Sequence, residues 1–403
     1  MTIENPVRTR RRAIAAMTFA TGVIIANNYY AQPLEAALAE AFDAGTAAVG
    51  AVLTLIQLSF AAGLALLVPL GDLLERRRLV ATMLAVTVAA MATIALAPAL
   101  GVLAAAAALV GLTTVSAQVL VPFAAHLAPD GGQGKAVSTV MSGLLIGILC
   151  SRVIAGLVAE VIGWRAVFGI GAGLTAVAAV LLWRTLPVQP PATRMAYPAL
   201  LRSVLSLIRE EPVLRWRMAL SGLAYAAFGA VWTVVGFVLA RPPHDLSEAQ
   251  IGLFALFGVG GAAGALLVGR LADRGWAHRV VGVALAVEAL SFVPLALGAG
   301  SLVALAIGLV LFDLGVQAAH VGNQTIIYRL RPEARSRLTS AYMTVFFLCG
   351  ALGSGLSTWV YSSGGWPGVT ALGAAFPTAG FLLWLVDAAR RRRVSSGTSA
   401  TPA

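Results

Sequence analysis

Charge is scarce in this chain. Of its 403 residues only 11% are charged, against about 25% in an ordinary soluble domain. Lysine occurs once, at Lys135, and cysteine twice, at Cys150 and Cys349. Both cysteines lie in long apolar runs, so a disulfide framework and a cysteine metal site are excluded. No Gly-x-x-x-x-Gly-Lys-Ser/Thr loop is present, which argues against ATP-driven pumping by this chain. No His/Cys/Asp cluster has metal-ligand spacing, and no Ser-His-Asp or Cys-His arrangement stands out. Neither a metal, a cofactor nor an enzymatic site is therefore expected. What fills the chain instead is apolar surface, 59% of residues, with a mean hydropathy of +0.88. A soluble fold of this size has no way to hide so much of it behind so few charges. The net charge of +11 invites a nucleic-acid reading, but the positions of the charges point elsewhere.

A helix that crosses a bilayer needs roughly 20 mostly apolar residues. Twelve such runs lie near 13–32, 47–70, 79–98, 101–126, 136–161, 166–186, 217–240, 250–269, 280–298, 301–328, 338–360 and 367–388. Helices are the expected element, because lipid offers no partner for an open backbone N–H or C=O. The fold class is thus an all-α membrane protein of twelve transmembrane helices. Arg8 to Arg12 before an apolar run also resemble a secretory signal. That run is long enough to span, however, and flows into Asn27-Asn28-Tyr29-Tyr30 without a small-x-small cleavage site, so it reads as span 1. The segment 187–216 carries five prolines and several arginines and reads as a linker, with a short amphipathic surface helix over Tyr197 to Glu211. The organisation expected is a six-helix bundle over 1–186, a cytoplasmic linker over 187–216, a second bundle over 217–389 and a disordered basic tail over 390–403.

With the N-terminus inside, every basic residue except Arg152, Arg165 and Arg241 falls on the cytoplasmic side. This follows the positive-inside rule and accounts for the basic balance without nucleic acid. The expected location is the inner membrane of a bacterial cell, multi-pass, with both termini cytoplasmic. The outer segment 33–46 holds Glu35, Glu40 and Asp43 and no basic residue, as a loop that crosses should.

The two halves repeat. Gly71-Asp-Leu-Leu-Glu75-Arg76 is echoed by Gly269-Arg-Leu-Ala-Asp273-Arg274, Pro129 by Pro332, and Gly163-Trp164 by Gly365-Trp366. Three landmarks in order at spacings of about 200 residues indicate a duplicated six-span unit, whose even count gives the halves the same orientation.

These residues resemble the major facilitator superfamily over nearly the whole chain: twelve spans in a 6+6 arrangement, a central linker, and the Gly-x-x-x-acid-Arg loop after spans 2 and 8. Glu75 stands where the family usually has Asp. Asn28-Tyr29-Tyr30-Ala31-Gln32-Pro33 and Asp313-Leu-Gly-Val-Gln317 to Asn323-Gln324 look like a bacterial branch often described as efflux permeases of the sugar or drug type. The resemblance implies a conformational lock on the inner side formed by Gly71, Glu75, Arg76, Gly269, Asp273 and Arg274. It also implies a central cavity surrounded by spans 1, 4, 7 and 10. The residues carry the lock on their own account too, since a glycine lets a neighbouring helix approach and an acid favours a helix N-terminus or an arginine. A charged loop that only obeys topology is the plainer alternative.

Ionisable groups at membrane depth cost about 2.5–3.5 kcal/mol each on insertion scales, so each calls for a reason. In span 10, Asp313, Gln317, His320 and Gln324 follow i, i+4, i+7, i+11 and share one helix face. That stripe is expected to line the cavity, with helix–helix hydrogen bonding as the alternative. Asp313 lies about 18 Å into its span by helical rise. It is the first candidate for carrying a coupled proton, and His320 is the second. Arg152 in span 5 has no neutral form to fall back on. It either pairs with Asp313 or binds an anion. Asn28 and Gln32 of span 1, Gln118 of span 4, and Tyr225 and Trp232 of span 7 are the remaining cavity candidates. Gln57 is expected to be a helix-contact residue, and Glu288 of span 9 to make a structural pairing near the inner face. The function expected is a secondary transporter of a small organic solute, working as a monomer in the bilayer by proton-coupled efflux with alternating access. Uptake of a small organic anion and a sensor that binds without translocating are the alternatives.

Overall fold

The structure is a computed structural model that describes residues 6–127, 133–189, 196–258, 276–327, 330–331 and 335–397. The first half contains α1 (Pro6–Ala26), a 3-10 turn (Gln32–Leu34), α2 (Glu35–Ala41), α3 (Thr46–Leu66), the short α4 (Leu70–Leu73) and α5 (Arg76–Ala95). It continues with α6 (Leu100–Thr114), α7 (Ser116–Leu127), α8 (Gln133–Ile162) and α9 (Trp164–Thr185). An amphipathic helix in the linker, α10 (Tyr197–Glu210), buries Leu200 and Leu207. The second half holds α11 (Pro212–Leu239), α12 (Glu248–Phe254), α13 (Ala277–Leu297), α14 (Leu302–Ile327) and α15 (Arg335–Gly397).

Among the described residues there are no strands, and nine helices are long and apolar enough to cross a membrane. One of these, Arg337–Ala389, runs 53 residues and has length for two crossings. α1 carries Arg10, Arg11 and Arg12 near its start, and the eighth expected span leaves the described residues after Gly258. The all-α fold with twelve crossings expected from hydropathy is consistent with this set. α15 stays helical to Gly397, inside the segment expected to be a tail.

The repeated Gly-Trp landmark has a physical reason. Gly163 has φ 90 and Gly365 has φ 57, a region open to glycine at no steric cost. Each marks the reversal between consecutive crossings, where one helix stops and the next begins. The tryptophan that follows turns inward in both copies. Trp164 is buried, and the Trp366 indole N–H donates to the Leu295 carbonyl at 2.8 Å. Within the first half, α1 and α8 approach so closely that a Cβ on Gly22 would lie 2.8 Å from the Gly143 carbonyl.

The two halves meet along a seam. α3 packs on α15 over its whole length. Thr54 Oγ1 and Ser354 Oγ are 2.8 Å apart, the Phe60 and Phe347 rings are 4.5 Å apart, and Ser340 Oγ donates to the Leu64 carbonyl at 3.2 Å. On the arginine-poor end, α8 packs on α12. There Glu160 Oε2 accepts from Ser247 Oγ at 2.7 Å and from the Ala249 N–H at 3.2 Å. That end of the seam is closed.

Candidate functional site

Two narrow openings lie on the seam, each with room for about one water molecule. Gln32, in the 3-10 turn after α1, lines both. Past Ala26 the chain continues through tight i→i−3 turns into this 3-10 turn and α2, and the turn packs against α11 and α8. The first opening has Arg152 from the first half and Trp232 from the second on its wall, with an apolar remainder that includes Val235, Leu239, Ile251 and Leu309. The second is walled by Asn28, Tyr29, Gln57, Tyr225 and aromatic neighbours.

Arg152 is 4% exposed. Its Nε donates to Gln32 Oε1 at 2.9 Å, and its guanidinium carbon lies 4.0 Å from the Trp232 ring centre and 5.1 Å from that of Tyr29. Aromatic faces of this kind are worth about 2 kcal/mol or more to a desolvated cation. Nη2 has no hydrogen-bond partner. Across the indole, the Trp232 N–H donates to Asp313 Oδ1 at 3.1 Å, and Asp313 is 5% exposed. Asp313 Oδ2 lies over Gly258, where even a methyl group would collide with it and with the indole. The cation and the acid thus share one tryptophan and make no direct ion pair. Of the two arrangements left open by the sequence, a contact pair is not what the structure contains.

Gln32, Arg152, Trp232 and Asp313 form one connected cluster drawn from four helical elements and both halves. Asn28 sits beside it, with Oδ1 accepting from Thr114 Oγ1 at 2.9 Å. Tyr225 stacks on Phe346 at 3.7 Å and on Phe228 at 4.8 Å. Gln118 is half-buried on α7 and lines neither opening.

The polar stripe on α14 divides. Asp313 reaches the cluster, whereas His320 turns to α15, its Nδ1 lying 3.2 Å from the Tyr342 hydroxyl, which continues to Ser221 Oγ. Gln324 Nε2 donates to Met343 Sδ at 3.8 Å, and Gln317 is half-buried. The lower stripe is therefore a contact with α15.

The loop signature after α3 also takes a definite shape. Glu75 caps its own helix, Oε1 accepting the Arg77 N–H at 3.1 Å, and Arg78 lies 3.4 Å from its other oxygen. Arg76 Nε donates to the Gly71 carbonyl at 3.0 Å, and a Cβ on Gly71 would lie 3.2 Å from Val119. All of these contacts stay within the first half. Gly269, Asp273 and Arg274 lie outside the described residues.

One expectation changes. Glu288 was expected to pair near the inner face. It sits instead in the middle of α13, fully buried, neither oxygen with a hydrogen-bond partner, and packs on the backbone of Gly315, two residues from Asp313. Its surroundings are helix packing, because α13 and α14 cross closely at Gly315. Gln57 makes the helix contact expected of it, its Oε1 lying against Gly350 of α15, and also lines the second opening.

Two residues escaped the sequence reading. Glu160 caps α12 across the seam. Arg217 is fully buried at the start of α11, with Nη2 donating to Asp387 Oδ2 at 2.6 Å and lying 3.3 Å from His278 Nδ1. A basic residue at the first turn of a span looks like ordinary topology, so only its burial reveals the cluster.

Comparison with known proteins gives a consistent picture. Residues 17–243 and 221–403 each match the family described as Major Facilitator Superfamily. The transporter YgaY of Escherichia coli (strain K12) is 44% identical over 92% of this chain and 94% of its own length. The transporter SCO4007 of Streptomyces coelicolor is 36% identical over 95% of this chain and 88% of its own length. Among solved structures, a bacterial homologue of the human lysosomal transporter Spinster, in an inward-facing and unoccupied conformation, superposes with a TM-score of 0.77. It shares 14% identity and covers 94% of this chain and 96% of its own.

Proposed function

The chain belongs to the major facilitator superfamily and is a multi-pass membrane transporter of that type, and from that premise we propose that it exports a small organic solute in exchange for protons by alternating access. The single observation that carries the reading is the cluster at the seam. One buried cation and one buried acid, from different halves, are held on the two sides of Trp232 beside an opening. Charges at this depth are tolerated where they border a water-filled route or a binding site.

With Asp313 ionised, the charges of Arg152 and Asp313 offset one another through the indole. When Asp313 takes a proton, Arg152 is left uncompensated in a low-dielectric site, and the Trp232 N–H loses a charged acceptor. Both changes disfavour the packed arrangement and favour a state in which the halves part and the cluster is hydrated or meets a ligand. Rocking of the two six-helix halves about this point alternates access. An inward proton gradient then drives the cycle, with about 2.3 kcal/mol per charge for each 100 mV of potential. In this reading both termini are cytoplasmic, the membrane is the bacterial inner membrane, and the Gly71–Arg76 loop acts as an inner-side lock with Gly269–Arg274.

Uptake of a small organic anion is a second reading, favoured by Arg152 Nη2, a buried donor with no protein acceptor beside a largely apolar wall. The test for both begins with a ligand thermal-shift screen on purified protein, followed by flux in proteoliposomes under an imposed pH gradient. Outward-directed, gradient-dependent flux supports exchange, and inward flux restricted to anions supports the second reading. Binding with no flux in either direction would leave only a sensor.

A further inference from the structure

Glu35 opens α2 on the arginine-poor end of the seam, one helical turn outward from Gln32. It is fully buried, and neither carboxyl oxygen completes a hydrogen bond. The surface it presses on belongs to the other half. A Cβ on Gly236 of α11 would lie 3.0 Å from Glu35 Oε2 and 3.1 Å from the Gln32 carbonyl. Span 1 ends before this residue, so the carboxyl stands at the mouth of the closed end, between the outside and the Arg152–Gln32 bond.

The groups around it do not neutralise a carboxylate. From α2 itself come Glu40 and, just beyond, Asp43, both exposed. α3 brings no ionisable residue. α8 brings Arg152, occupied by Gln32, and Glu160, occupied by Ser247 and Ala249. α12 brings Glu248. α11 brings the Phe237 amide, which gives the ionised form some support, and its ring stacks on Tyr361 of α15 at 6.1 Å. Arg241 lies over that tyrosine, 5.8 Å from the ring centre. Burial accordingly holds the Glu35 carboxyl well above the usual carboxylate range.

We propose that Glu35 is the proton-operated latch of the outer seam: the halves close on the arginine-poor end only with Glu35 neutral, so proton uptake there and closure are one event. An ionised carboxyl with only the Phe237 amide near it is too costly for that dry contact, whereas opening the seam returns it to water. The sign follows. The closed state binds one more proton than the open state, so closure is favoured at low pH and lost as pH rises from the ordinary Glu value of about 4.3 through the elevated closed-state value. Within that window the open-to-closed ratio rises up to about tenfold per pH unit. The proposal rests on the alternating-access reading and adds to it a second, outer proton site distinct from Asp313.

The test reads the seam directly. Nitroxide labels are placed on full-length protein at Ala47→Cys and Ser362→Cys, with Cys150 and Cys349 replaced by alanine. These positions are exposed and flank the close contact of Gly50 with Thr358. Distances are measured in lipid nanodiscs without substrate or gradient from about pH 4 to pH 9. The expected result is a short distance at low pH, with a longer population growing as pH rises. Glu35→Gln stays short throughout, and Glu35→Asp, a second carboxyl variant, keeps a pH response. A wild-type distance that does not change with pH, or a Glu35→Gln protein that titrates like wild type, overturns the latch. Asp313→Asn separates this proposal from the function above. Seam titration that survives in it supports a distinct site at Glu35, even if flux coupling fails. Seam titration lost in it but kept in Glu35→Gln assigns the response to Asp313 and overturns the latch.

Discussion

Among the described residues two arginines are buried within helices, Arg152 and Arg217, and their surroundings differ in kind. Arg217, 0% exposed at the start of α11, meets Asp387 of α15 at 2.6 Å, and His278 of α13 stands beside both. That region joins three helices of one half through opposite charges in contact. Arg152, 4% exposed on α8, has no acid in contact. It is held by an amide and two aromatic faces, and its nearest charge lies beyond an indole that belongs to the other half. A buried ion pair in contact fixes a structure. A buried charge held softly across a seam leaves room for two states of similar free energy, which is what a transport cycle requires.

The comparison makes different predictions for the two sites. The largest effect on stability is expected at the first. Arg217→Leu removes the 2.6 Å contact of Asp387, and breaking a buried pair in this way costs ~3–5 kcal/mol. Detergent-solubilised protein should lose its cooperative thermal transition or melt far below wild type, whatever ligand is added. Next comes Arg152→Leu. No contact ion pair is broken, so the melting temperature should stay within a few degrees of wild type, while flux in proteoliposomes falls at least about tenfold, equivalent to 1.4 kcal/mol. A variant that unfolds like Arg217→Leu would erase the distinction drawn here.

Trp232→Phe sharpens the second site. It keeps an aromatic face for Arg152 but removes the N–H that serves Asp313, a hydrogen bond to a charged group worth ~1.5–3 kcal/mol. Flux should fall less than in Arg152→Leu. In a double-mutant cycle with Asp313→Asn, the two losses should fall short of additive, because both changes remove the same bond. The smallest effect is expected at Glu160→Gln. This exposed carboxylate caps α12 across the outer seam, and an exposed group of this kind contributes little. Labels on the arginine-poor end should report at most about a few-fold rise in the open population.

The architecture was readable because its signals are local. Runs of apolar residues set the crossings, arginine alternation set the sides, and Gly163 and Gly365 mark the same reversal in both halves because each takes a positive φ. Arg152 and Asp313 were legible for a related reason, since a charge inside an apolar run has few bland explanations. Their relation was not legible. Trp232 and Gln32 connect them only after two halves about 200 residues apart in sequence come together. Periodicity put His320 and Gln324 on one face of α14 with Asp313. It could not say that α15 would cover the lower part of that face, because the direction a helix face points is fixed by its neighbours. The place of Glu288 within its apolar run does not say which helix covers it. Its burial depends on Gly315 of the adjoining helix. Glu35 sat among acids in a connecting segment and read as solvated. The packing of the 3-10 turn and α2 against α11 is what carries it into the seam.

The central claim is that Asp313, across Trp232 from Arg152, carries the coupled proton. The most direct measurement compares wild type and Asp313→Asn in proteoliposomes, with the same reconstituted amount and the same substrate, in two modes: solute exchange at equal pH on both sides, and net flux driven by a pH gradient. The account predicts that the variant retains exchange and loses gradient-driven flux to the level of empty vesicles. Full gradient-driven flux in Asp313→Asn would contradict it and remove the acid from the mechanism.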